Sequence, residues 1–149
     1  YSTVNQTAAA ANTPYAMTFN NTDSSSQVSV LSNSRITFKN RGVYNVQFSA
    51  QIRQTAGSPH FIWIWLRKNG VDVPSSMGQV GIPKAKSGSV PSLTIAGWDN
   101  MIQSANTTDY WEFMYAVSDS AHVSFPAYSA TAFGPSTASL FITLVPVGA

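Results

Sequence analysis

The side chains able to do acid–base or nucleophilic chemistry are few. His60 and His122 are the only imidazoles, and they stand 62 positions apart. A Ser–His–Asp set assembles in space rather than along the chain, so these histidines with Asp119 keep that chemistry open. No Gly-x-Ser-x-Gly elbow accompanies them. The plainer reading makes both histidines ordinary polar residues at strand starts or in loops. Asp72, Asp99, Asp109, Glu112 and Asp119 are spread singly, whereas a calcium site needs several oxygen ligands together. Asp119, between Ser118 and Ser120, suits a turn whose carboxylate accepts from its own backbone. Glycoside hydrolysis ordinarily uses two facing carboxylates, and Glu112 is the only glutamate. Gly78, Gly81 and Gly88 lack the lysine and helix of a phosphate-cradling loop. Cysteine is absent, which removes disulfides, thiolate metal sites and a thiol nucleophile. The expectation is a protein that is not an enzyme and has no catalytic residues, no metal site and no cofactor.

Binding chemistry has more material. Trp63, Trp65, Trp98 and Trp111 could stack on sugar rings through their apolar bodies. Phe61, Ile62, Ile64 and Leu66 are equally apolar around the first two, which favours a core or a subunit contact instead. The eight Lys and Arg residues are scattered and form no stripe, so no nucleic-acid partner is expected despite a pI near 9.1. No apolar run approaches the ~20 residues of a membrane span, and no membrane insertion is expected. Asn5-Gln6-Thr7, Asn20-Asn21-Thr22 and Asn106-Thr107-Thr108 match the glycosylation sequon, as chance allows in a chain so rich in Asn and Thr.

The elements that must position these groups are strands. The length of 149 residues suits one domain with an arm. Charged residues make up 9%, against about 25% in average domains, which suits a chain that buries much of its surface against copies of itself or one that lives outside the cell. Residues 1–13 read as an N-terminal arm or linker and 14–149 as the folded domain; Tyr1 in place of methionine reads as a processed product or a piece of a longer protein. Residues 43–52 alternate strictly, with Tyr44, Val46, Phe48, Ala50 and Ile52 on one face. Residues 61–67 and 110–117 are apolar on both phases, so each strand is covered twice or carries a sticky exposed side. Asn69-Gly70 is a hairpin signal leading into 71–73. Further strands are predicted over 15–19, 28–31, 35–39, 93–101, 122–128 and 138–147, with a long loop over 78–91. Some eight to ten strands without a helical period predict an all-β, two-sheet antiparallel jelly-roll sandwich, and the doubly apolar strands predict an oligomer.

The run Arg41–Ile52 (RGVYNVQFSAQI) resembles the Gly-x-Tyr-x-x-x-Phe strand of the trimeric jelly rolls of the tumour necrosis factor and complement globular-head superfamily. More of the chain is similar to a group of marine bacteriophage structural domains. The likeness rests on Gln6-Thr7, Asn12-Thr13, the run from Gly42 to Gln51, Ile64 to Gly70, and Val73-Pro74-Ser75-Ser76. It continues through Trp98-Asp99-Asn100, Asp109 to Met114, Ser118-Asp119, and Pro135 to Ser139. Trp98-Asp99 departs from the usual Trp-Asn, and Thr108 stands where a glycine often precedes the aspartate.

The resemblance implies a homotrimer on a virion, in contact with other capsid or tail proteins, as capsid decoration or as a fibre or appendage domain. The alternative is a receptor- or glycan-binding tip module for host attachment, with a host surface glycan as partner. It also implies that the inner sheet faces the three-fold axis. With 43–52, 110–117 and 138–147 taken together as that sheet, alternation makes Asn45, Gln47, Gln51, Tyr110, Glu112, Met114 and Phe141 the contact candidates. Three Glu112 carboxylates near an axis would need Arg53 or Arg67 as partner, or partial protonation.

Overall fold

The computed structural model describes residues 1–23, 25–87 and 89–148; Gly88, in the expected 78–91 loop, and Ala149, at the end of the expected domain, lie outside the described residues. The strands in chain order are β1 (Gln6–Thr7), β2 (Tyr15–Ala16), β3 (Val28–Leu31), β4 (Arg35–Phe38), β5 (Gly42–Gln54) and β6 (His60–Lys68). They continue with β7 (Val71–Asp72), β8 (Gly78–Ile82), β9 (Ser92–Ser104), β10 (Tyr110–Val117), β11 (Val123–Phe125) and β12 (Leu140–Gly148). All pairings between these strands are antiparallel.

They form the expected all-β sandwich of two sheets. In the first, β5 is central: β9 pairs along one edge, β12 and β11 share the other, and β1 extends β11. In the second, β10 is central. It pairs with β6 on one side and with β4 and β2 on the other; β3 extends β4, and β7 and β8 extend β6. Period-2 alternation then fills one core. Tyr44, Val46, Phe48, Ala50 and Ile52 of β5 meet Trp111, Phe113, Tyr115 and Val117 of β10 and Ile62, Ile64 and Leu66 of β6. Phe48 is the hub: its ring stacks on Phe113 of the opposite sheet at 4.8 Å and tilts against Trp98 at 5.0 Å. The inward phase expected for residues 43–52 is the one observed.

Turn chemistry sets the register. Asn69 (φ 49°) and Gly70 (φ 81°) make the tight turn between β6 and β7, a left-handed pair that glycine and asparagine adopt at least cost. Gly42 admits no side chain, because a Cβ there would stand 2.7 Å from the Gly148 carbonyl oxygen.

Two expectations change. The stretch read as a loop from 78 begins as β8, whose Ile82 is buried and whose Val80 packs on the core; Gly-rich spacing masked a short edge strand. Residues 1–13 are tied into the sandwich rather than hanging from it as a linker. Ser2 and Leu140 form a bridge, the Gln6 amide pairs with the backbone of Thr18 at 2.7 and 2.9 Å, and Asn5 accepts from the Ala127 N–H. Ser2 and Gln6 act as buried partners of backbone groups, and Asn5 does so at the surface.

Candidate functional site

The seven contact candidates divide between opposite faces, because β10 belongs to the second sheet while β5 and β12 belong to the first. Asn45, Gln47, Gln51 and Phe141 share the outer face of the first sheet. Tyr110, Glu112 and Met114 lie on the outer face of the second, and the expected single contact joining all seven is corrected. Met114 is 3% exposed, packed with Trp65 and Ala116 inside the chain itself. Glu112 accepts from the Ser34 hydroxyl at 2.8 Å. Arg67, directly across the ladder from Glu112, gives its Nε to Asp72 at 2.7 Å. Arg53, the other partner considered for Glu112, sits on β5 in the first sheet.

The first outer face continues onto β9, which sequence reasoning did not include. Registration sets Phe141 beside Ser49 and Gly97, Thr143 beside Gln47 and Asp99, and Val145 beside Asn45 and Met101. Leu93, Ile95 and Met101 are exposed, Ile95 at 66%, together with Phe141 and Val145. Alternation in 92–104 was the signal, since Leu93, Ile95 and Met101 share the phase opposite to Ala96 and Ile102. A cleft of about 310 Å³ lined by Ser49, Gln51, Pro135, Thr137, Ser139 and Phe141 opens beside this patch. Its arrangement of apolar groups with a belt of amides suits burial against protein rather than reaction.

The second outer face is a grid of four rows. Ser118 bonds across to Phe61, which faces Gly81; Ala116, Trp63 and Gln79 follow. Then come Ala16, Met114 and Trp65, and last Glu112, Arg67 and Asp72. Trp63 donates to Gln79 Oε1 at 3.1 Å and Trp65 to Asp72 Oδ1 at 2.8 Å. The Arg67 bond, then the Trp65 bond, hold the Asp72 carboxyl below its usual range. Trp111 fills the core and Trp98 packs partly buried against it.

The two histidines do come together. His60 Nε2 lies 3.2 Å and His122 Nδ1 lies 2.7 Å from the same oxygen of Asp119. His60 Nδ1 is 3.0 Å from Ser118 Oγ. The serine is already engaged, since its Oγ accepts from the Phe61 N–H across the ladder at 2.9 Å. Asp119 also accepts from the N–H groups of Ala121 and His122, the turn role its sequence context suited. Burial pulls the Asp119 carboxyl upward, but the His122 and Ala121 hydrogen bonds and both imidazoles outweigh it and leave its pKa lowered. The arrangement pins the β10–β11 turn to the start of β6. Among the described residues no group of three His, Asp or Glu side chains is placed to hold a metal ion.

No protein-family model matches the chain and no curated protein matches it, so the faces of the sandwich carry the functional argument.

Proposed function

We propose that the chain is a non-enzymatic structural domain of a bacteriophage particle, capsid decoration or part of a fibre, that assembles as a homotrimer through the outer face of β5, β9 and β12. The observation that carries the assembly is the patch of Leu93, Ile95, Met101, Phe141 and Val145, exposed together on one sheet face and interleaved with Asn45, Gln47 and Gln51. Apolar surface of that extent, with few charges, is the composition of an interface centre. The virion assignment draws its support from the sequence resemblance.

Light scattering on the purified chain tests the assembly. A mass three times that of the chain at micromolar concentration is the expected result, and a compact monomer there overturns it. An antibody against the folded domain that labels intact particles supports the virion placement; particles that remain unlabelled while free protein is bound overturn it.

A further inference from the structure

We propose that Phe61 and Trp63, on the outer face of the second sheet, form a platform for a neutral oligosaccharide. The proposal rests on the trimer reading, because a trimer closed through the first sheet turns the second sheet's outer face away from the axis in all three copies.

The strand phase that aims Ile62, Ile64 and Leu66 into the core aims Phe61, Trp63 and Trp65 outward. Trp65 is closed over by the Met114 cluster. Phe61, at 41% exposure, and the partly exposed Trp63 remain, with ring centroids 6.2 Å apart and planes inclined by 30°. These adjacent aromatic side chains, both at least partly exposed, offer apolar ring surface to a sugar. Across the ladders Gly81 faces Phe61 and Ala116 faces Trp63, while the Trp65–Met114 cluster packs against one side of Trp63. Hydrogen-bonding groups stand at the margin. Gln79 gives its carbonyl to the Trp63 indole and keeps two amide N–H donors for a ligand.

The size and charge of the patch select the ligand. Ser118, Phe61, Gly81, Ala116, Trp63 and Gln79 carry no charge, so neither an acidic polysaccharide nor a basic peptide finds a counter-charge among them. A stable protein contact buries about 800 Å² on each partner around an apolar centre. Here the apolar stretch ends after two rows at the sealed Trp65–Met114 cluster and then at the charged Arg67–Asp72 pair. A short oligosaccharide matches that extent. Weak single sites repeated three times on one assembly gain by avidity.

Calorimetric and NMR titration of the intact protein with cellohexaose, laminarihexaose and mannohexaose tests the platform. Binding of at least one with millimolar or better affinity is expected, weakened about tenfold or more in Trp63→Ala. Gly81→Val, whose Cβ would stand 3.4 Å from Phe61 Cε1, crowds the Phe61 ring and disturbs the platform while keeping both aromatic side chains in the chain. It should weaken binding about tenfold with an unchanged circular dichroism spectrum. No binding of any of these sugars, or binding unchanged in both variants, overturns the proposal. A trimer that binds no sugar defeats the platform alone. A monomer whose sugar binding is lost in Trp63→Ala defeats the trimer reading alone. Assembly lost in Trp63→Ala but kept in Ile95→Asp would seat a second copy on this face and overturn both.

Discussion

The outer faces of the two sheets solve the same problem differently. On the second sheet, β6 and β10 are apolar on both phases and cover much of each other: Trp65, Met114 and Ala116 make a small second core outside the main one, with Ala16 of β2 and Trp63 packed against it. Among the described residues of the first sheet no comparable cluster closes over β9, and Leu93, Ile95 and Met101 stay exposed. A strand with two apolar faces is therefore not by itself the strand that needs a partner. Residue size and position decide it. Indole rings and a flexible methionine reach sideways to one another across a ladder, whereas on β9 Leu93 and Ile95 face Arg53 and Gln51 and are separated from Met101 by Gly97 and Asp99.

Substitutions that act inside the chain should separate from those that act between chains. Phe48 sits where both sheets meet, so Phe48→Ala should have the largest effect, a loss of about 3–5 kcal/mol by denaturant titration. A loss below about 1 kcal/mol would mean that the Phe113 and Trp98 contacts do not define the centre of the core. Met114→Ala should cost about 2–5 kcal/mol in the same measurement, as removal of a buried methionine. The assembly state of the folded protein should not change, and Glu112→Lys should leave it equally intact. If either variant dissociates the oligomer without unfolding it, the outer face of the second sheet is the contact and the comparison inverts.

The fold was legible because its strongest signals are local. Alternation in residues 43–52 named the buried phase of β5 residue by residue, and Asn69-Gly70 named the turn. The contact was only half legible, for a topological reason. Alternation tells which side chains share one strand's face but not which sheet a strand joins, and β10 pairs with β6 instead of β5. Taking β10 as a neighbour of β5 joined Met114 and Glu112 to a face on the far side of the molecule. Ile95 and Met101 went unassigned because β9 reads as a weak strand, broken by Gly97 and Asp99. Asp119 and His122 stand three residues apart in one turn, but the approach of His60 to them and the Phe61–Gly81 pairing depend on strand register and have no local sequence signal.

Ile95→Asp examines the other side of the comparison. The side chain is exposed in the single chain, so stability should shift by no more than about 0.5 kcal/mol. Placing a charge at the apolar centre of the proposed contact should weaken assembly about 100-fold, roughly 2.7 kcal/mol, read as a rise in the concentration at which light scattering reports dissociation. Unchanged assembly in this variant and in Met101→Asp would remove the first sheet from the contact.

The smallest expected effect lies at the end of the second sheet, where one carboxylate organises two turns. Asp109 accepts from Asn69 Nδ2 at 2.9 Å, from the N–H groups of Ala105 and Asn106 at 3.0 and 3.1 Å, and faces Lys68 Nζ at 3.1 Å. Asn69 in turn accepts from the Tyr110 N–H, so the β6–β7 turn and the β9–β10 loop are joined through this group. The Asn69 hydrogen bond foremost, against the opposing effect of burial and aided by the Asn106 N–H and Lys68, lowers the Asp109 pKa from 3.8 to about 2. A carboxylate whose folded value lies below its unfolded value stabilises fully above the unfolded value, and that stabilisation is lost as pH falls through the folded one. Wild-type stability should therefore decline between pH 3.8 and about 2, with Asp72 and Asp119, also lowered, adding to the slope. Asp109→Asn keeps the shape but has no proton to take up. It should be less stable than wild type at neutral pH and show a flatter urea midpoint across the acid window. An acid slope as steep as that of wild type would show that the junction owes its hold to the Asn69 and Tyr110 pairing alone.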